Sequence, residues 1–124
     1  TTVAIMGTDI PSVPLASLQS AFALLKNPGC DAVFGPSGDG GYYFVGAKAV
    51  HPPLFENIEW STEKVLQQTL GQARLHNLNV SLIPSWHDVD TEEDLRRLAG
   101  QLGEIRSEED APRTRAFLKR LAFL

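Results

Sequence analysis

The sequence predicts an α/β fold with a mainly parallel sheet, and three observations carry that expectation. Short apolar runs alternate with stretches of helical periodicity, turn residues separate them, and no internal repeat or low-complexity tract breaks the order. The first run, "TVAIM" at 2–6, is short and continuously apolar, as expected of a strand buried on both faces. Gly7 ends it. After the loop "TDIPSVP", Leu15, Leu18, Phe22 and Leu25 fall at helical spacing, so a helix is expected over 14–26, stopped by "NPG". "DAVFG" at 31–35 and "YYFVGA" at 42–47 read as the second and third strands. "HPPLFENIEW" at 51–60 is irregular, because its two prolines forbid a central strand.

A helix is expected over 61–76, with Val65, Leu66, Thr69, Leu70 and Ala73 on one face. "NVSLIP" at 79–84 is the fourth strand, and 91–102 is a helix with Leu95, Leu98, Ala99 and Leu102 inward. Residues 103–113 read as a polar linker, and "TRAFLKRLAFL" as a last helix striped by Phe117, Leu118, Leu121 and Ala122. At 124 residues the chain is expected to be one domain, with a core at 1–102 and a C-terminal helical extension at 103–124. Four strands make a thin sheet for this class, so the sheet reads as incomplete.

Composition excludes several classes of function. The net charge is −4, and no basic run exceeds Arg96-Arg97, which argues against binding nucleic acid by phosphate neutralisation. No apolar stretch approaches the roughly 18 residues of a membrane span, and no leader pattern opens the chain. The single cysteine, Cys30, forbids an internal disulfide, fits a reducing cytoplasm and reads as a small core filler.

Three stretches can carry chemistry. In "AIMGTDIP", Asp9 lies just past the end of a strand, where open α/β sheets place ligands, and a carboxylate there suits Mg²⁺ or Mn²⁺. Gly7 leaves room near the backbone. The alternative is that Asp9 makes an Asx turn or caps the following helix. In "WHDVDTEEDL", Thr91 and Asp94 form a capping box, which accounts for that segment's last residues but not for the like charges of Asp88 and Asp90. His87 reads as a surface residue, with metal ligation as the other choice. In "GPSGDGGYYFVG", Gly38, Gly40 and Gly41 let backbone N–H groups approach a phosphate or sugar, and Asp39 can accept hydrogen bonds from hydroxyls. A plain hairpin connection is the alternative. The spacing matches neither a Walker loop nor G-x-G-x-x-G.

Taken together, "GTDIP", "GPSGDGGYYFVG", "WSTEKVL" and "DVDTEEDL", over about residues 3–102, resemble a bacterial glycosyltransferase-like family. This is the selenodomain-associated transferase group of the nucleotide-diphosphosugar transferase superfamily, and the match is to its C-terminal two-thirds. The resemblance implies a partial GT-A-like, Rossmann-related mixed sheet, a nucleotide-activated sugar or related substrate, and a divalent cation, Mg²⁺ or Mn²⁺. It implies Asp9 and Asp39 as catalytic candidates, with Asp9 and Asp90 as metal ligands and Asp88 as the less favoured one. Asp39, Gly40 and Gly41 would lie on the acceptor or sugar side. Trp60, Ser61 and Thr62 would open a helix facing the same cleft, its N-terminal dipole favouring an anion.

In that superfamily a glycine- and basic-rich nucleotide loop should precede Thr1, and nothing in the chain replaces it. The chain is therefore expected to be a truncated, catalytically incomplete domain that forms a homodimer. A non-catalytic binding or assembly module derived from such a transferase is the competing reading. A metal-dependent phosphohydrolase using Asp9, Asp88 and Asp90 is the third, and it lacks an evident base and nucleophile.

Overall fold

The computed structural model describes residues 1–104 and 111–123. The five-residue connection 37–41 is too short for a crossover, so β2 (Ala32–Pro36) and β3 (Tyr42–Ala47) pair antiparallel as a hairpin, with an irregularity at Gly35/Pro36. β1 (Val3–Met6) pairs antiparallel with the other side of β3, Val3 facing Ala47 and Met6 facing Phe44. β4 (Val80–Leu82) runs parallel to β2. The strand order is β1-β3-β2-β4, so three strands share one direction and β3 alone is reversed.

Two expectations about β1 change as a result. Its neighbour is antiparallel, and among the described residues it lies at the edge of the sheet with Val3, Ile5 and Met6 exposed rather than buried on both faces. An apolar run reports that a strand can be buried; only its neighbours decide whether it is.

The described residues form two compact units: Thr1–Gly7 with Pro14–His87, and Thr8–Val13 with Asp88–Leu124. The first contains the sheet. α1 (Leu15–Leu25) lies on one face, where Leu25 meets the backbone of Gly46 and Phe22 meets the edge of Phe44 at 6.3 Å. Its N-cap is Pro14, with no side-chain capping bond, so the helix-cap alternative for Asp9 is not the arrangement found. On the opposite face Ala32, Phe34, Leu54 and Ala73 form the core. Those residues come from β2, the 3₁₀ turn Pro52–Phe55 and α2 (Val65–Leu75). Cys30 is buried, its thiol donating to the Ala32 carbonyl at 3.4 Å, as a small filler would be.

In the second unit α3 (Glu92–Glu104) and α4 (Pro112–Arg120) bury Leu98, Ala99, Leu102 and Leu118 against one another. Phe123 packs on this core and lies under the Arg96 guanidinium at 5.3 Å. Most of the expected polar linker, 105–110, lies outside the described residues, as does Leu124. Among the described residues no helix is long and apolar enough to cross a membrane.

Candidate functional site

Asp9, Asp88 and Asp90 come together in the second unit, and a single backbone bond explains how. The Val89 amide donates to the Asp9 carbonyl at 2.9 Å, laying the 8–13 segment beside 88–90. Val89 packs against the α3–α4 core, and Asp88 and Asp90 flank it. One carboxylate oxygen from each of Asp9, Asp88 and Asp90 lies within 4.8 Å of the others. Three like charges this close repel unless a cation or a hydrogen-bond donor offsets them. Three carboxylate oxygens grouped this closely fit a hard divalent cation.

The neighbouring carboxylate, Asp94, is committed elsewhere. It accepts from the Thr91 hydroxyl at 2.9 Å and from the Thr91 and Asp90 amides at 3.0 and 3.1 Å, while its own amide donates back to Thr91 Oγ1 at 3.1 Å. The Thr91 hydroxyl, followed by the Asp90 amide, holds the Asp94 carboxyl below the usual carboxylate range. The expected capping box is therefore present and holds Asp90 by its amide, not by its side chain. His87 is not in the acidic group; its ring stacks on Trp86 at 5.2 Å in the other unit.

The glycine loop belongs to the first unit. Asp39 closes an Asx turn: one carboxylate oxygen accepts from Ser37 Oγ at 2.5 Å and from the Gly41 amide at 3.0 Å. The Ser37 hydroxyl, followed by that amide, lowers the Asp39 pKa from its usual 3.8. Gly40 sits at φ +90°, and a Cβ there would come within 2.1 Å of the Glu63 carbonyl oxygen. Its own carbonyl accepts from the Leu66 amide at 2.9 Å, capping the start of α2. Close approach at Gly40 is therefore to the protein's own backbone. Gly38 has open space around it. Gly7 closes the first strand by donating its amide to Tyr43 O at 2.9 Å.

Asp39 and Gly41 line a cleft of about 610 Å³ with Trp60, Ser61 and Thr62, which the sequence singles out, and with Tyr42 and Glu63, which it does not. No local motif marks those two. Trp60, Ser61 and Thr62 do not open the helix, which begins at Val65. Ser61 adopts a left-handed φ of 63°, and Thr62 Oγ1 donates back to the Glu59 carbonyl at 2.7 Å, so the segment is a turn. The α2 amide bonded to Gly40 is likewise not open to an anion.

Residues 1–62 match the family described as "Uncharacterized protein conserved in bacteria (DUF2064)". A search among curated proteins finds no match. Among solved structures, a "putative nucleotide-diphospho-sugar transferase" from Desulfovibrio desulfuricans G20 is similar, with a TM-score of 0.84 and 34% identity. The match covers 98% of this chain and 52% of that one, so the chain spans about half the length of that protein. The expected GT-A-like mixed sheet flanked by helices is the fold found.

Proposed function

The chain belongs to the DUF2064 family of proteins conserved in bacteria, and from that premise we propose that it forms part of a nucleotide-diphospho-sugar transferase. The reaction would be glycosyl or nucleotidyl transfer from a nucleotide-activated donor. The selenodomain-associated transferases are the finer assignment within this reading. The observation that carries it is the convergence of Asp9, Asp88 and Asp90 in a chain 34% identical to the Desulfovibrio protein. These carboxylates would hold Mg²⁺ or Mn²⁺, and such an ion neutralises charge on a diphosphate leaving group. Asp39, beside exposed Trp60 in its cleft, would bind the hydroxyl-rich acceptor or sugar: the carboxylate accepts hydrogen bonds and the indole offers an apolar face.

Calorimetric titration with Mn²⁺, followed by a nucleotide-sugar hydrolysis assay, tests the reading. Asp9→Asn and Asp90→Asn should each weaken Mn²⁺ binding at least tenfold, about 1.4 kcal/mol, because each removes a charged ligand. Wild-type protein that binds no Mn²⁺ would overturn the metal assignment. Binding of Mn²⁺ and nucleotide without turnover would favour the non-catalytic module, and turnover of a simple phosphate ester would favour the phosphohydrolase.

A further inference from the structure

Asp94 stands beside the acidic group without belonging to it, and it makes one bond that its helix does not require. A capping box is complete when the N-cap hydroxyl accepts from the amide three residues on and that residue's side chain accepts from the N-cap amide. Thr91 and Asp94 meet both conditions, at 3.1 and 3.0 Å. The same Asp94 oxygen also accepts from the Asp90 amide at 3.1 Å. That bond lies outside the box, and its donor is the backbone of a candidate metal ligand.

The placement of Asp90 shows what the bond does. Its neighbour Val89 is fixed twice, by its amide on the Asp9 carbonyl and by its side chain on the α3–α4 core. Asp90 is exposed, so packing does not hold it. The bond to Asp94 ties it instead to the first turn of α3, within the same compact unit. Fixing the peptide between Val89 and Asp90 fixes the direction in which the Asp90 side chain leaves the backbone. A ligand held in place before the ion arrives gives up less freedom on binding. Asp94 Oδ1 meanwhile faces Arg97 Nη1 at 3.4 Å, which offsets its charge. What Asp94 adds to the acidic group is order more than a fourth negative charge.

We propose that Asp94 is a positioning residue for divalent-cation binding: it holds the Asp90 backbone so that the Asp90 carboxylate stays grouped with Asp9 and Asp88, and it is not itself a ligand. The inference rests on the metal reading of those three carboxylates.

Mn²⁺ calorimetry and hydrogen exchange on wild type, Asp94→Ala and Asp94→Asn test it. In metal-free wild type the Asp90 amide should be protected. Asp94→Ala removes its acceptor, so that amide should exchange freely and Mn²⁺ should bind at least about tenfold more weakly, as when groups that orient metal ligands are lost. The Leu95 amide, bonded to the Thr91 carbonyl at 3.0 Å, reports whether the first turn of α3 survives the substitution. Asp94→Asn keeps an oxygen that accepts from Asp90 and loses the charge. It should retain the protection and bind Mn²⁺ within about threefold of wild type, the scale of one exposed charge. If Leu95 loses its protection in Asp94→Ala, the Asp94→Asn result decides alone. A freely exchanging Asp90 amide in wild type overturns the proposal. So does an Asp94→Ala protein that frees this amide and keeps wild-type Mn²⁺ affinity, a result that leaves the metal reading standing. A loss of about tenfold or more in Asp94→Asn would mean that Asp94 acts by charge or direct ligation, and it overturns the proposal as well. Wild-type protein that binds no Mn²⁺ removes the metal reading itself and this inference with it.

Discussion

Asp39 shows how one carboxylate can serve a loop and still face a cleft. One of its oxygens is taken by Ser37 Oγ and the Gly41 amide, and the residue itself is exposed. Asp39→Ala should therefore cost about 0.5–1 kcal/mol near neutral pH, the value of such bonds discounted for exposure. The pH dependence has a definite sign. The folded pKa lies below the usual 3.8, so the stabilisation is complete above 3.8 and is lost as pH falls through the folded value. Urea unfolding of wild type and Asp39→Ala should differ at neutral pH and converge in strong acid. A gap that persists below the folded pKa would mean that the charge on Asp39 contributes nothing.

At the scale of elements, the glycines of the loop separate into different roles. Gly40 combines a left-handed φ with a Cβ position blocked by the Glu63 carbonyl, and its own carbonyl caps α2. Gly40→Ala should destabilise by about 2–3 kcal/mol, through strain and loss of the fit between loop and helix. Gly38→Ala meets nothing and should stay within about 0.5 kcal/mol of wild type. Thermal unfolding of the pair checks both, and equal losses would contradict this division. The sequence makes part of this legible and hides the rest. The Thr91–Asp94 box is local, three residues apart, and it appears where it is expected. The start of α2 is not local: Ser61 is held left-handed while Gly40, more than twenty residues earlier, occupies the Leu66 amide. Likewise the short connection between "DAVFG" and "YYFVGA" allows a hairpin, the alternative that the sequence offered for it, whereas nothing in "TVAIM" reveals that its neighbour among the described residues is an antiparallel β3.

At the scale of the whole molecule, the chain leaves its sheet-bearing unit after Gly7, returns to it at Pro14 and leaves again after His87. All three candidate metal ligands fall on the excursions, Asp9 on the first and Asp88 and Asp90 on the second. That grouping was readable only in part: Asp9 lies 79 residues from Asp88 in sequence, and the Val89 amide bond to Asp9 O that joins their segments is invisible without the fold. A cation held there would cross-link 8–13 to 88–90 within the second unit. A ligand that binds only the folded state stabilises it by RT ln(1 + [L]/Kd), about 2.7 kcal/mol at a hundredfold excess over Kd. Local openings that break the ligand set should become rarer by the same law. Mn²⁺ should therefore slow exchange at the Val89 amide and leave the Ile83 amide, bonded to Phe34 O in the sheet, unchanged. Asp90→Asn should abolish the slowing at Val89 without altering exchange in the metal-free protein at Ile83. Protection that rises equally at both amides would place the ion's effect outside the acidic group, and no change at Val89 in saturating Mn²⁺ would remove Asp9, Asp88 and Asp90 as its ligands.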